Sequence, residues 1–215
     1  MNPTKDLLEY VERDLEPVTP LPASWRRMLN ALAVAVAIFL LAVLFFGLRP
    51  DLDSLPMWLT WGCAAAQLTV ATLLIRLGLR ESVPGQGVPM RSALAAVISS
   101  FVFQLAVGFL TWRVDPTTST DLAAGVGPVC MRHELLLAAP VLAITLLMIF
   151  RAFPLRSWMA GLLGGVGSAI AADAVTHLQC PISDLRHLLI WHSGAIILVA
   201  IAGAALGFFW GRLRG

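Results

Sequence analysis

The chain has 215 residues, of which 58% are hydrophobic and 13% charged, and its mean hydropathy is +0.81. Soluble domains carry about 25% charged residues, so this composition excludes an ordinary soluble domain and predicts an all-α polytopic membrane protein. The net charge of +2, without a basic tract, gives no sign of direct nucleic-acid binding.

Residues 1–28 are the one sizeable polar part of the chain, and we treat them as a separate tail. Between residues 4 and 16, hydrophobic side chains recur with helical spacing, while five acidic and two basic residues cover the other side. The pattern predicts a short amphipathic helix, which Pro17 ends, followed by a proline-rich spacer. A helix this short is marginal alone in water, so its apolar stripe needs a surface to pack on. The stripe consists of Leu7, Leu8, Val11 and Leu15.

The acidic side of the tail helix indicates which surface it meets. Helices that lie on lipid favour Lys and Arg on the polar face, whereas this helix is mainly acidic. We therefore expect the stripe to dock in the groove of a partner protein. Docking on the protein's own loops is the second alternative, and a lipid surface or disorder is the third.

Six hydrophobic segments follow, each near the length of about 20 residues that crosses a hydrocarbon core. All seven tryptophans lie at or near segment ends, as in the aromatic belts of membrane proteins. Residues 29–215 are thus expected to form one six-helix transmembrane domain. No cleavable signal peptide is expected, because the first 28 residues lack an apolar core. The segments are 29–48, 55–75, 92–112, 135–150, 157–178 and 188–210.

The distribution of Lys and Arg predicts the orientation. The tail, the loops 76–91 and 151–156 and the C-terminus together carry eleven of these residues, and the opposite loops carry four. The positive-inside rule therefore places both termini in the cytoplasm. In a bacterium the protein would lie in the inner membrane, with the connections near residues 130 and 180 facing the periplasm.

All four histidines and two of the three cysteines map to this predicted outer side. Three interpretations of the cluster stand open. The first is a disulfide or redox-active pair, Cys130 and Cys180, because disulfides persist in oxidising compartments. The second is a site for Zn²⁺ or a similar divalent ion, and the third is ordinary helix capping and packing. Its candidate sensor residues are Cys130, His133, His177, Cys180, His187 and His192, and the candidate metal ligands among them are Cys130, His133, His177 and Cys180.

Asp173 joins this cluster as the one charged residue inside the predicted spans. It lies four residues before His177, one helical turn away. Acids inside spans are costly and often functional. Asp173 is therefore either an orienting partner for a ligating or redox-linked histidine, or a structural residue that hydrogen-bonds another helix or meets water near the interface.

Glycine spacing predicts close helix packing. Gly203, Gly207 and Gly211 repeat every fourth residue in the last segment, as do Gly161 and Gly165 in the fifth. Such small-xxx-small steps let membrane helices approach closely.

The whole layout resembles the six-span bacterial membrane regulators typified by NrsF, negative regulators of an extracytoplasmic-function (ECF) sigma factor. The likeness rests on the short charged tail with its proline spacer, on Cys130 just before the fourth span, and on His177-Leu-Gln-Cys180-Pro181 followed by Trp191-His192. It covers nearly all 215 residues. It also extends to membrane anti-sigma factors that respond to light or singlet oxygen.

The resemblance implies an anti-sigma factor and not an enzyme. It would hold an ECF sigma factor at the inner membrane through cytoplasmic parts until a stress signal outside releases it. The paired outer cysteines that the family ties to stress response correspond to Cys130 and Cys180. Oxidation or metal occupancy there would shift the last three spans and weaken sigma binding by the tail.

Two other function classes remain as alternatives. A membrane thiol oxidoreductase would want a C-x-x-C motif or two cysteine pairs as a relay, and the sequence offers one outer pair. A small metal transporter usually places several ionisable residues near the middle of the bilayer, and here the spans offer Asp173 alone.

Overall fold

The computed structural model describes residues 20–115 and 120–214, and within these ranges it contains six long helices and no strand. By length and composition all six could cross a membrane. The predicted all-α, six-span architecture is confirmed. The helices are α1 Ser24–Phe46, α2 Trp58–Glu81, α3 Met90–Val114, α4 Thr120–Phe150, α5 Ser157–His177 and α6 Leu185–Arg214.

Helices α1 and α4 begin well before their apolar segments, by five and fifteen residues. Helix α1 starts at Ser24 because Arg26 and Arg27 continue the helical turns, and Arg27 is buried against neighbouring helices. Helix α4 starts at Thr120 and runs through the polar residues near His133 before reaching its apolar part. Hydrophobicity marks the stretch that could meet lipid, not where the helix ends. The tail helix with Leu7, Leu8, Val11 and Leu15 lies outside the described residues.

Helix α5 is the centre of the bundle, and almost every one of its residues is buried. Its glycines let three helices approach it from different sides. A Cβ on Gly165 would lie 2.8 Å from the Val199 carbonyl oxygen of α6, and one on Gly167 would lie 2.9 Å from the Ala71 oxygen of α2. One on Gly164 would lie 2.9 Å from Thr145 Cγ2 of α4. The close packing predicted for Gly161 and Gly165 is thus present, and it extends to other sides of the helix.

Helices α1 and α3 lie at the periphery and turn large apolar side chains outward. Leu44 and Phe45 of α1 are 77% and 74% exposed, and Ile98 of α3 is 62% exposed. Such continuous exposed apolar faces fit a hydrocarbon solvent, since water-soluble monomers rarely carry them.

Polar interactions tie the loops together at the two ends of the bundle. At one end, which we call the Arg156 end, Arg156 donates two hydrogen bonds to Glu81, of 2.7 and 2.9 Å. Close by, the buried Arg27 donates to the carbonyl oxygens of Leu79 and Met148, each at 3.2 Å. The start of α1 is therefore fixed to the ends of α2 and α4. The other end, which we call the cysteine end, holds Cys130, Cys180 and the connection 178–184.

Candidate functional site

The two outer cysteines meet at the cysteine end, although 50 residues separate them in sequence. Cys130 lies on α4 and Cys180 on the connection between α5 and α6, and their sulfur atoms are 3.5 Å apart. The Cys180 sulfur also lies 3.5 Å from Nε2 of His187. Cys180 is buried and Cys130 half-buried. We call Cys130, Cys180 and His187 the thiol cluster; one soft or borderline metal ion could take a ligand from each.

The hydrogen bond with Cys130, together with burial, raises the pKa of the Cys180 thiol above its ordinary value. Cys180 therefore remains a protonated thiol at neutral pH. Because the thiolate is the reactive form of cysteine, reaction at Cys180 requires a base to take its proton, and His187 is the adjacent imidazole.

His133 and His177 make contacts away from the thiol cluster. His133 donates from Nε2 to the side-chain oxygen of Gln179 at 2.9 Å, and its ring lies edge-on to Phe46. His177 donates from Nε2 to the carbonyl oxygen of Leu59 at 2.8 Å. Of the four ligands predicted from sequence, the structure therefore brings the two cysteines together and supplies His187 as their imidazole neighbour.

Gln179 connects the thiol cluster to α1. Its amide nitrogen donates to the carbonyl oxygens of Ala42 and Gly47, at 3.0 Å each, where α1 ends. The end of a helix leaves carbonyl groups without partners in the helix, and Gln179 provides a donor for one of them, that of Gly47. Gln179 directly precedes Cys180, so one residue separates that cysteine from the contacts with α1.

Asp173 lies deeper between the helices, at the centre of a polar network. Its Oδ1 accepts a hydrogen bond of 2.8 Å from Nδ1 of His192. Its Oδ2 accepts from the amide groups of Gln67 and Gln104, at 2.5 and 2.6 Å. Asp173 is buried, so of the alternatives for this residue the helix-to-helix hydrogen bond is present, and its imidazole partner is His192 in place of His177.

Glu134 is the residue that sequence reasoning missed. It lies on α4, is 1% exposed, and its Oε2 is 3.3 Å from Nδ1 of His192. Asp173 is thus not the one charged residue inside the spans, because α4 carries Glu134 into the interior. One feature of the sequence did point to Glu134: it lies four residues after Cys130, so both side chains lie on one face of a helix. We call Glu134, Asp173 and His192 the carboxylate cluster.

A π-helical turn at Leu188–His192 opens α6 and carries the histidines of both clusters to neighbouring positions. The rings of His187 and His192 lie 5.3 Å apart. Wide turns of this kind occur often at functional sites. The two clusters are therefore adjacent but distinct in chemistry.

Charged residues cover the mouth of the site. The buried Arg49 bonds Asp51 at 2.6 and 2.7 Å and Asp115 at 2.9 Å. Burial alone would lower the pKa of Arg49, but its bonds with both aspartates outweigh burial and raise it. The Arg49 hydrogen bond in turn lowers the pKa of Asp51. A small cavity of about 30 Å³ lies beneath, lined among others by Arg49, Asp173, Cys180 and His192.

Comparison with known proteins identifies the family. The model of the family described as NrsF, negative regulator of sigma F, matches residues 12–212. Searches of curated proteins and of solved structures found no significant match. Since the matched region covers nearly the whole chain and includes both cysteines, this protein belongs to the NrsF family and is a negative regulator of a sigma factor.

Proposed function

We propose that this protein is an anti-sigma factor of the bacterial inner membrane that holds an ECF sigma factor through its cytoplasmic tail and releases it when the thiol cluster reacts. The observation that carries the proposal is the 3.5 Å separation of the Cys130 and Cys180 sulfur atoms. It provides two thiols, on different elements, that one chemical event can join. The family membership supplies the sigma factor as the regulated partner.

The distribution of basic residues supports the proposed orientation. Loops with many Lys and Arg residues tend to stay in the cytoplasm, which favours that side for the Arg156 end and the tail. The cysteine end would then face the periplasm, where oxidants and metal ions arrive first. Signal and sigma factor would thus lie on opposite sides of the membrane.

Two reactions could trigger the switch at the thiol cluster. In the first, the two thiols lose two protons and two electrons to an external oxidant and form a disulfide, whose sulfur atoms are about 2.05 Å apart. In the second, a thiophilic divalent ion such as Zn²⁺ replaces the thiol protons and binds Cys130, Cys180 and His187. Both reactions displace Cys180 relative to α4.

Helix α1 provides the route from the thiol cluster to the tail. Its end is held by Gln179, beside Cys180, and its start is held by Arg27 at the Arg156 end. Displacement of Cys180 would loosen the hold of Gln179 and shift the helix that leads directly into the tail. To move the population from 1:99 to 99:1, the trigger must favour the releasing state by about 5.5 kcal/mol.

We expect a variant with both Cys130→Ser and Cys180→Ser to hold the sigma factor but to lose induction by oxidants and thiophilic metals. Serine forms neither a disulfide nor a comparable metal bond, so the trigger is removed while the fold is kept. Transcription from a sigma-dependent promoter, before and after stress, measures this. Cys63→Ser is the matched control, because Cys63 lies on α2 away from the pair and should leave induction unchanged.

A third variant, Gln179→Leu, separates sensing from transmission. Its cysteines should still cross-link under oxidant, while induction falls because the link to α1 is lost. Normal induction in the double serine variant would exclude the thiol cluster as the sensor.

We expect Leu7→Asp combined with Val11→Asp to abolish capture of the sigma factor by the full-length protein. Burying two aspartates in place of apolar side chains costs several kcal/mol, which corresponds to a loss of affinity of about 100-fold or more. Capture of the purified sigma factor on detergent-solubilised protein measures the effect. Glu12→Gln, on the polar face of the same predicted helix, is the control; equal capture by all three proteins would place the binding surface elsewhere.

A further inference from the structure

The carboxylate cluster is a buried set of metal-ligand groups that the proposed function does not use. We propose that Glu134, Asp173 and His192 bind one divalent transition-metal ion of hard or borderline character, such as Mn²⁺ or Fe²⁺, between α4, α5 and α6. This site shares no ligand with the thiol cluster, although His192 also interacts with Cys180, and it stands or falls independently of sigma-factor binding. It would fix the three helices that surround the proposed switch.

The distances within the cluster fit ligands of a single ion. Nδ1 of His192 lies 2.8 Å from Oδ1 of Asp173 and 3.3 Å from Oε2 of Glu134. One ligand atom from each of the three residues lies within 4.8 Å of the others. With bonds of about 2.0–2.2 Å, neighbouring ligand atoms around one ion are roughly 3.0–3.5 Å apart. Only small movements would therefore bring the three ligand atoms to one ion.

The charges of the cluster also fit a bound cation. Among the described residues, Glu134 and Asp173 each form an ion pair with the same residue, His192. One protonated imidazole balances only one of the two acids, so the second must either carry a proton or be balanced by a further cation, because an unbalanced buried charge is very costly. Arg49, at the mouth of the site, is already bonded to Asp51 and Asp115. The net charge of a divalent ion bound by two carboxylates and a neutral imidazole is zero.

Glu134 is the group that points to a ligand. Neither of its carboxylate oxygens has a hydrogen-bond partner within residues 20–115 and 120–214, although the side chain is 1% exposed and directed at His192. Asp173, in contrast, has its second oxygen held by the amides of Gln67 and Gln104. Such outer hydrogen bonds commonly orient a metal-ligating carboxylate.

The donor atoms decide the class of metal. Two carboxylates and one imidazole suit Mn²⁺, Fe²⁺ and related ions, whereas thiolates select softer ones. The neighbouring thiol cluster would therefore not compete strongly for Mn²⁺. The small cavity lined by Asp173 and His192 adjoins the proposed ion on the side of the cysteine end.

The test uses the full-length protein carrying Cys130→Ser and Cys180→Ser, purified in detergent, stripped with a chelator and titrated with Mn²⁺ alone. Loss of the free Mn²⁺ electron paramagnetic resonance signal is expected to show one bound ion per chain. Glu134→Gln and Asp173→Asn should each weaken binding by more than the roughly 10–100-fold caused by loss of an outer hydrogen-bond partner. Asp53→Asn, an exposed acid near the same end, should leave binding unchanged.

A second measurement needs no change in the carboxylate cluster. Electron spin echo of the bound Mn²⁺ should show coupling to an imidazole nitrogen, and Mn²⁺ should raise the melting temperature of the serine variant. The proposal is overturned if this variant binds no Mn²⁺, if the nitrogen coupling is absent, or if Glu134→Gln binds as tightly as its parent. Failure of sigma-factor capture in a separate assay would contradict the proposed function and leave these results intact.

Discussion

Alanine in place of Gly203 is expected to lower the free energy of unfolding by about 3 kcal/mol, the upper part of the usual range for overpacking. The added Cβ would collide with the carbonyl oxygen of Gly161 and would lie 2.9 Å from Cα of Gly165. Both contacts are with backbone of the central helix α5, which cannot turn aside as a flexible side chain would. Helices α5 and α6 must therefore separate, with loss of packing along their whole contact. Unfolding of the purified protein in mixed detergent measures the change.

Gly194→Ala is the matched control on the same helix. A Cβ there meets no atom within 4 Å among the described residues, so the substitution should be neutral or stabilising by up to about 1 kcal/mol through helix propensity. The same chemical change is thus expected to have opposite signs at two positions of α6. Equal destabilisation by both variants would contradict the close contact of α5 and α6.

Asp173→Ala is expected to destabilise the protein by about 3–5 kcal/mol, as when one partner of a buried charged pair is removed. The change leaves three donors without their acceptor, namely the amide groups of Gln67 and Gln104 and Nδ1 of His192. Gln67 keeps a hydrogen bond of 3.2 Å to Oε1 of Gln104, and His192 keeps Glu134 at 3.3 Å. The amide nitrogen of Gln104, however, would be buried without its acceptor. The measurement is the free energy of unfolding in the presence of a chelator, which removes any contribution from bound metal.

Glu134→Gln is expected to behave oppositely under the same conditions. The carboxylate accepts no hydrogen bond among the described residues, so replacing it with a neutral amide removes a buried charge and should leave stability unchanged or higher. The matched pair therefore distinguishes a carboxylate that holds the network from one that awaits a ligand. A loss of several kcal/mol from Glu134→Gln in chelator would show that Glu134 has a structural partner.

The number of helices and the central role of glycines could be predicted because both follow from local sequence. Length and hydrophobicity determine which segments can span a bilayer. Gly161 and Gly203 each belong to a series of glycines four residues apart, which predicts close contact between helices. Grouping Cys130 with Cys180 was also predictable, because the number of spans between them decides which end of the bundle each occupies. None of these inferences needs the relative rotation of helices.

The partners within the site depend on that rotation and could not be predicted. His177 precedes Cys180 by three residues, yet it bonds Leu59, while the more distant His187 reaches the thiol. Glu134 was passed over because the apolar stretch of its helix begins after it, although α4 itself begins earlier. Sequence spacing assigns a residue to an end of the bundle, and only the packing of α4, α5 and α6 assigns its neighbour.

The wide turn at Leu188–His192 has a geometric consequence for the whole cysteine end. In a regular α-helix, residues five apart are separated by about 140° around the axis, so His187 and His192 would point toward different helices. In a π-helical turn the backbone hydrogen bonds join residues five apart, so the turn is wider than that of an α-helix. The rings of His187 and His192 therefore lie on the same side of α6, 5.3 Å apart. Because of this extra residue in the turn, one helix places the imidazole of His187 beside Cys180 and that of His192 beside Asp173.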